Sequence, residues 1–194
     1  MNYLEKNDAR ARLKAHLPIL PEREDLETKI LNHLYPLLKD KNKIISYVAD
    51  LPLEIDVLPL VDACPLPRPS QFWEYHHRAN WYFPKISEQN ELKFVRPITW
   101  TKAKLGIWEP VGDEEILAKD ADMILVPALG FSSNGARLGR GGGFYDRTLT
   151  GEGIRQKTVG LTFSKFFPVP FLPEIHDLRV GQVLTEVGLH TFLD

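Results

Sequence analysis

Residues 137–147 read Arg-Leu-Gly-Arg-Gly-Gly-Gly-Phe-Tyr-Asp-Arg and contain four of the chain's 13 glycines. Glycine adopts backbone conformations that strain other residues, so consecutive N–H groups in such a segment can turn toward one anion. Arg137, Arg140 and Arg147 add forked cationic donors that suit phosphate oxygens. Asp146 adds a carboxylate, a ligand type that Mg²⁺ prefers. The segment predicts a polyphosphate-binding loop with a metal site beside it, and residues 139–143 are called the glycine loop below.

The flanking sequence indicates where this loop sits in the fold. Residues 122–127 form a compact apolar run that is typical of a buried strand, and residues 144–149 read as the start of a helix. A strand, a glycine loop and a helix start place anion-binding N–H groups at the carboxyl end of a sheet. The Walker A and dinucleotide patterns are both excluded, since no Gly-Lys-Ser/Thr occurs and Phe144 breaks the second pattern. A plain tight turn is the alternative, but such a turn has no use for three arginines.

Composition and length narrow the class of protein. A chain of 194 residues with 43% hydrophobic and 26% charged residues is typical of one soluble globular domain, here taken as residues 1–194. The net charge of −2 gives no sign of binding to nucleic acid or to an anionic membrane. The single cysteine, Cys64, excludes an internal disulfide and a cysteine-rich metal cluster. With no apolar run of ~20 residues and no signal peptide, we expect a cytoplasmic monomer.

Predicted strands and helices roughly alternate along the chain. The strands are predicted at residues 43–48, 80–86, 92–96, 122–127, 158–163 and 183–187, and the helices at 2–17, 21–37, 57–61, 113–119 and 144–149. Leu26, Ile30 and Leu34 recur at helical spacing, and Pro36 is expected to kink or end that helix. The proline-rich residues 64–72 are predicted to form a loop. This order predicts an α/β fold with an open, mostly parallel sheet and helices on both faces.

Several residues outside the glycine loop have both a structural and a functional interpretation. Lys6 and Arg10 share one helix face, which is either solvated surface or a binding face. Glu54 follows a predicted strand, where it either starts a helix or contacts a ligand. Trp108 is more often a packed side chain than a pocket wall, and an isolated histidine such as His176 is more often structural. The residue pattern alone leaves these alternatives open.

Five motifs occur in order along the chain, at residues 6–10, 53–56, 106–110, 122–147 and 176–186. Together they resemble the motifs of the 5-formyltetrahydrofolate cyclo-ligases, also called methenyltetrahydrofolate synthetases. The resemblance implies an open α/β fold like that of ribose-phosphate isomerase and coenzyme A transferase domains. It also implies a ligase that uses ATP and Mg²⁺ to convert 5-formyltetrahydrofolate into 5,10-methenyltetrahydrofolate, ADP and phosphate.

The resemblance also assigns site residues. The implied ATP-binding residues are Lys6, Arg10, Arg137, Leu138, Gly139, Arg140, Gly141, Gly142, Gly143, Phe144 and Tyr145. The implied folate-binding residues are Glu54, Arg140, Gly141, Gly142, Gly143 and Phe144. Arg140 and Tyr145 are the implied catalytic residues, and Asp146 and Asp177 are the implied Mg²⁺ ligands.

At four positions the chain departs from the family pattern. Ala9 replaces a leucine, Ala128 a glycine, and Ser132 and Gly181 each an aspartate. The last change removes a carboxylate from the neighbourhood of Asp177.

Two other classes of protein share this fold: non-catalytic sensors of phosphorylated metabolites, and isomerases or transferases that need no ATP. A sensor is expected to lack a metal-binding carboxylate, whereas this chain has Asp146. A transferase needs a glutamate nucleophile, for which Glu54 and Glu109 are candidates.

Overall fold

The computed structural model describes residues 3–15, 20–49, 53–61, 79–103 and 106–192. Its α-helices are α1 (Lys6–Lys14), α2 (Leu20–Leu38), α3 (Phe144–Thr148) and α4 (Ile154–Lys157). Its strands are β1 (Lys43–Ile45), β2 (Asn80–Ile86), β3 (Leu92–Val95), β4 (Thr99–Lys102), β5 (Trp108–Val111), β6 (Glu115–Ile116), β7 (Met123–Pro127), β8 (Gly130–Phe131), β9 (Arg137–Leu138), β10 (Thr158–Leu161), β11 (Gln182–Thr185) and β12 (Gly188–Thr191). Cys64 and the predicted loop at 64–72 lie outside the described residues.

An eight-stranded sheet forms the centre of the fold, in the order β12-β11-β10-β7-β1-β2-β3-β6. Its five inner strands from β11 to β2 are parallel, and antiparallel strands complete both edges. All five residues of β7 are buried, as expected for a parallel strand covered on both faces. The prediction of a mostly parallel sheet is confirmed.

Helices cover both faces of this sheet. Side chains alternate across the strands, so Ile44 packs with the residues of α1 and α2 while Ile45 packs with those of α3 and α4. In α2, Ile30 and Leu34 are fully buried, because their helical spacing places them on one face. Pro36 lies in the final turn of α2, which ends at Leu38. No helix among the described residues is long and apolar enough to span a membrane.

The predicted helix at residues 113–119 is wrong. Glu115 and Ile116 form β6, which pairs antiparallel with β3, and a short 3₁₀ turn follows at Ala118–Asp120. The acidic residues suit the start of a helix, but the backbone groups of this segment pair instead with the open edge of β3. The edge strand β12 was not expected from the sequence.

The turn between β8 and β9 explains the departure at Ser132. The Ser132 hydroxyl accepts a hydrogen bond from the Ala136 N–H at 3.0 Å and donates one to Asn134 Oδ1 at 2.6 Å. An aspartate can accept the same backbone hydrogen bond, so serine and aspartate are interchangeable in this role.

We expect Ser132→Ala to lower the free energy of unfolding by about 1 kcal/mol, because the Ala136 N–H loses a buried hydrogen-bond acceptor. Catalytic activity should not change, since Ser132 lines neither cavity described below. Chemical denaturation measures the loss, with the exposed neighbour Ser133→Ala as the control. Reduced activity with unchanged stability would contradict a purely structural role.

Candidate active site at the glycine loop

The glycine loop connects β9 to α3 at the carboxyl end of the sheet. Gly141 has a φ of 103° and Gly143 a φ of 66°, both in the left-handed region that favours glycine. Gly143 directly precedes the first residue of α3, as the sequence predicts. The loop therefore has the backbone freedom and the helix start that an anion site needs.

A first cavity of 620 Å³ opens beside the loop. It is lined by Glu5, Lys6, Asn7, Arg10, Arg137, Gly139, Gly141, Gly142, Gly143, Asp146, Arg147, Glu174, His176 and Asp177. Four of these side chains are lysine or arginine and four are carboxylic acids, and several backbone groups of the glycine loop face the same space. The structure thus brings the predicted residues of α1, the glycine loop and the 174–177 turn together around one charged cavity.

Helix α1 lies beside the cavity with Ala9 and Leu13 packed into the core. Ala9 is only 1% exposed, so the small side chain that replaces leucine still packs into the core. Next to this buried stripe, Lys6 Nζ lies 2.6 Å from Asp177 Oδ1, and Arg10 Nε donates to the carbonyl oxygen of Gly139 at 2.7 Å. Two residues with a weak sequence signal are thereby fixed at the site.

Arg137 is a buried cation behind the cavity. Its Nε donates to the Pro127 carbonyl at 2.6 Å, and its guanidinium lies 4.8 Å from the ring centre of Tyr145. Burial lowers the pKa of Arg137, and the charge of Asp146 opposes that shift, with 4.0 Å between Nη1 and Asp146 Oδ2. Arginine's ordinary pKa is so high that the side chain remains charged.

The carboxylates that face this cavity fit a magnesium ion. Asp146 Oδ1 accepts a hydrogen bond from the Leu178 N–H at 2.9 Å, which orients Oδ2 toward Arg137. Asp177 accepts one hydrogen bond on each oxygen, from Lys6 and from the Glu174 N–H, and each oxygen keeps a further lone pair. Carboxylate oxygens in a cavity that also holds lysine and arginine side chains suit Mg²⁺ bound to a polyphosphate.

His176 lies beside these carboxylates. Glu174, His176 and Asp177 place potential metal-binding atoms within 4.8 Å of one another. Lys6 Nζ lies 3.3 Å from Glu174 and 2.6 Å from Asp177, so an internal cation already offsets one of the two negative charges. His176 Nε2 is 2.8 Å from Glu174 and the ring is largely exposed. We assign Glu174, which contacts both Lys6 and His176, to the fixation of Lys6.

A second cavity of 280 Å³ lies on the other side of the glycine loop. Its lining is mostly apolar and comprises Tyr47, Val48, Glu54, Pro84, Ile86, Leu92, Ile107, Trp108, Glu109, Pro127, Arg137, Arg140, Gly142, Gly143, Phe144 and Tyr145. Its shape and lining are those of a site for a small, largely apolar ligand that carries a few polar groups.

Glu54 and Arg140 form a two-pronged ion pair in this second cavity. Arg140 Nε donates to Glu54 Oε1 at 3.2 Å and Nη2 donates to Oε2 at 2.9 Å. The Glu54 side chain is 7% exposed and that of Arg140 34%. Such a fork fixes the orientation of the carboxylate.

The structure separates the residues that the resemblance assigned to ATP. Arg140, Phe144 and Tyr145 line the second cavity and not the first, while Leu138 is fully buried in the core. Burial raises the pKa of the Tyr145 phenol, so this hydroxyl stays protonated and acts as a hydrogen-bond donor. If Tyr145 is catalytic, its hydroxyl can donate a hydrogen bond to the reacting groups, but it cannot act as a general base at neutral pH.

The two cavities meet at the glycine loop. Arg137, Gly142 and Gly143 line both of them. A phosphorylated ligand in the first cavity and an apolar ligand in the second would therefore approach one another across these residues. This arrangement suits the transfer of a phosphoryl group between two bound substrates.

Sequence reasoning missed several lining residues. Tyr47 follows β1, so its position at a strand's carboxyl end was the available signal. Trp108 lines the second cavity, which supports its interpretation as a pocket wall and not the more common one as a packed core side chain. Arg147, one of the three arginines that the sequence predicts for phosphate binding, does line the first cavity, where its guanidinium lies 5.2 Å from the ring centre of Phe144 and donates to the Asn90 carbonyl at 2.9 Å.

Gly181, which replaces a family aspartate, is enclosed by backbone. A Cβ atom at this position would lie 2.5 Å from the Arg155 carbonyl oxygen. The Gly181 N–H also donates to Thr158 Oγ1 at 2.9 Å, which fixes the segment against α4 and β10. Space at this position admits glycine only.

We expect Gly181→Asp to lower the free energy of unfolding by about 1–3 kcal/mol, because the added atoms overpack a fixed backbone. Gly181→Ala isolates the steric part and should be destabilising as well. Thermal unfolding measures both. A stable aspartate variant that needs less Mg²⁺ for activity would show that the backbone readily makes room for the family carboxylate.

Comparison with solved structures places this architecture in a known class. The 5,10-methenyltetrahydrofolate synthetase of Aquifex aeolicus superposes with a TM-score of 0.76 at 27% identity, covering 97% of this chain and 93% of that one. The synthetase from Mycoplasma pneumoniae gives a TM-score of 0.71 at 21% identity over 94% of this chain and 99% of that one, which supports the fold alone. The fold and the paired cavities thus define an α/β enzyme of the methenyltetrahydrofolate synthetase type.

Sequence comparison identifies the family. The model of the 5-formyltetrahydrofolate cyclo-ligase family matches residues 73–186, more than half of the chain. The 5-formyltetrahydrofolate cyclo-ligase of Mus musculus is 26% identical in an alignment of 195 positions that covers 93% of each protein. That of Mycolicibacterium smegmatis is 39% identical over 94 residues, which cover 46% of this chain and 47% of that protein. The chain belongs to the 5-formyltetrahydrofolate cyclo-ligase family and is an enzyme of the ligase class.

Proposed function

We propose that this protein converts 5-formyltetrahydrofolate into 5,10-methenyltetrahydrofolate in a reaction that needs ATP and Mg²⁺ and releases ADP and phosphate. The observation that supports this proposal most strongly is the pair of cavities that share Arg137, Gly142 and Gly143. One cavity is lined by four lysine or arginine side chains together with four carboxylates, which suits a polyphosphate with its Mg²⁺, and the other is largely apolar, which suits a reduced pterin. The family's ligase class argues against the alternatives of a non-catalytic sensor and an ATP-independent transferase.

The first cavity is assigned to ATP. Lys6, Arg10 and Arg137 supply positive charge, and the glycine loop supplies N–H groups for the phosphate oxygens. Asp146 and Asp177 are the proposed Mg²⁺ ligands. When bound, Mg²⁺ would offset the charge of the polyphosphate and help to align it. The phosphates would then replace carboxylates as the partners of Lys6 and Arg137.

The second cavity is assigned to the folate. A reduced pterin offers N–H donors along one edge, and the Glu54 carboxylate is placed to accept from them. Phe144 and Tyr145 provide apolar surface against the ring. Arg140 holds Glu54 in this orientation and is proposed to reach the transferring phosphoryl group when both substrates are bound.

The reaction then has two steps. The formyl oxygen attacks the γ-phosphorus, so an O–P bond forms while the bond to ADP breaks. The second folate nitrogen next attacks the formyl carbon, and the ring closes as the C–O bond breaks, the oxygen departs with phosphate and the N–H proton passes to that phosphate. The protein's contribution is to position the two substrates and to stabilise the transferring charge with Arg140 and the neutral phenol of Tyr145.

The proposal is tested by mixing the purified protein with 5-formyltetrahydrofolate, ATP and Mg²⁺, and following the absorbance of the methenyl product together with phosphate release. We expect one phosphate per methenyl group, and no product when either ATP or Mg²⁺ is omitted or when a non-hydrolysable ATP analogue replaces ATP. Product formation at full rate without ATP would contradict the proposal.

A further inference from the structure

The segment that carries Glu54 has no regular secondary structure, yet its backbone is held at three successive points by side chains. Arg23 Nη2 donates to the Glu54 carbonyl at 2.9 Å. The Tyr47 hydroxyl donates to the Ile55 carbonyl at 2.9 Å, and the Asp56 N–H donates to Glu27 Oε1 at 3.2 Å. Outside helices and strands, backbone groups usually bond to water or to local turns. Here side chains of α2 and of Tyr47 take the place of water and of local turns as hydrogen-bond partners.

Two of these contacts come from one ion pair on α2. Arg23 and Glu27 are one helical turn apart, with Nη2 and Nε of Arg23 at 2.7 and 3.1 Å from Glu27 Oε1. An exposed pair with this spacing contributes little to stability. This pair is largely buried, with 15% and 14% of the two side chains exposed. It holds the backbone on both sides of Ile55, which is itself fully buried.

Because the backbone around Glu54 is held in place, the Glu54 side chain has a fixed position in the second cavity. Glu54 lines that cavity, and its carboxylate, 7% exposed, meets the fork of Arg140. The two hydrogen bonds to one guanidinium require the Glu54 carboxylate, and with it the Glu54 backbone, to lie within about 0.5 Å of its place. The side chains that fix this backbone therefore fix the acceptor that the substrate would meet.

We infer that Arg23 is a positioning residue of the folate site, acting through Glu54. The inference rests on the proposed function, since it takes the second cavity to bind the folate. Arg23 itself lines neither cavity, so it does not contact either substrate. Its effect should appear in recognition of the folate and not in recognition of ATP.

The test is Arg23→Met, which keeps an unbranched side chain of similar length but removes every donor. We expect the KM for 5-formyltetrahydrofolate to rise about tenfold, because a charge-assisted hydrogen bond to the Glu54 backbone is lost. The KM for ATP should stay within about twofold, and kcat at saturating folate should change little. Arg23→Lys keeps one charged donor and should recover part of the loss.

Loss of stability alone is controlled with Ile154→Ala. Ile154 is buried on the opposite face of the sheet, in a separate core cluster from Ile55. This variant should unfold at a lower temperature and keep the wild-type KM for folate. An unchanged folate KM in Arg23→Met, an equal rise in Ile154→Ala, or a parallel rise in the KM for ATP would each overturn the positioning role.

The activity of the wild-type protein tests the proposed function, independently of the Arg23 variants. A wild-type protein that produces no methenyltetrahydrofolate overturns the proposed function. In that case calorimetric titration with 5-formyltetrahydrofolate replaces the kinetic assay. Weaker binding by Arg23→Met than by wild type supports the positioning role, and equal binding, or no binding by the wild type, overturns it.

Discussion

Asp146→Asn is expected to reduce turnover about 100-fold at low Mg²⁺, equivalent to roughly 2.7 kcal/mol of transition-state stabilisation. The proposed metal ligand loses its negative charge, and an amide is a poorer Mg²⁺ ligand than a carboxylate. Saturating Mg²⁺ should restore part of the activity. The measurement is the initial rate of methenyltetrahydrofolate formation across a range of Mg²⁺ concentrations.

The structure shows why this variant should still fold. Asparagine keeps an oxygen that can accept the Leu178 N–H, the hydrogen bond that joins α3 to the segment after residue 177. The buried Arg137 loses its closest counter-charge, so a modest loss of stability is expected as well. Asp113→Asn, an exposed aspartate outside both cavities, serves as the control. Normal turnover of Asp146→Asn at low Mg²⁺ would remove Asp146 from the metal site.

Glu54→Gln should raise the KM for 5-formyltetrahydrofolate about 30-fold, equivalent to about 2 kcal/mol for a charge-assisted contact. The amide keeps the shape of the side chain but turns one acceptor into a donor. That donor would face the guanidinium of Arg140 and the N–H edge of the pterin. The KM for ATP should change far less, because Glu54 lines only the second cavity.

The second carboxylate of the same cavity provides a matched control. Glu109 Oε1 accepts a hydrogen bond from the Ile86 N–H at 3.2 Å, and glutamine can accept it equally well. Glu109→Gln should therefore have a much smaller effect on the folate KM than Glu54→Gln. If the KM for ATP rises in Glu54→Gln while that for folate is unchanged, the assignment of the two cavities is reversed.

Local sequence patterns were sufficient for the elements that carry the site. The apolar run at 122–127 gave the buried strand β7, because a strand covered on both faces has no place for polar side chains. The consecutive glycines gave a loop with left-handed residues at Gly141 and Gly143, followed at once by α3. These features depend on backbone freedom and short-range periodicity, which neighbouring residues determine.

Local sequence patterns did not predict the strands at the two edges of the sheet. Residues 113–119 carry the acids of a helix start, yet part of this segment extends the sheet beside β3. Strand β12 likewise exists because β11 presents an open edge to the residues that follow it. For β6, backbone hydrogen bonds to a partner strand earlier in the chain outweigh intrinsic propensity, whereas β12 pairs with the strand directly before it as a hairpin.

The sequence by itself therefore determined the inner strands of the sheet, the glycine loop and the chemical types of residue around it. Only the tertiary structure decided which charges meet. Lys6 is paired with Asp177 across 171 residues, and Arg140 with Glu54 across 86. The glycine loop lies between two cavities, and nothing local to it selects the cavity that Arg140 enters. That choice follows from the buried Glu54 carboxylate, which is costly to leave unpaired and which α2 and the residues after β1 hold within reach.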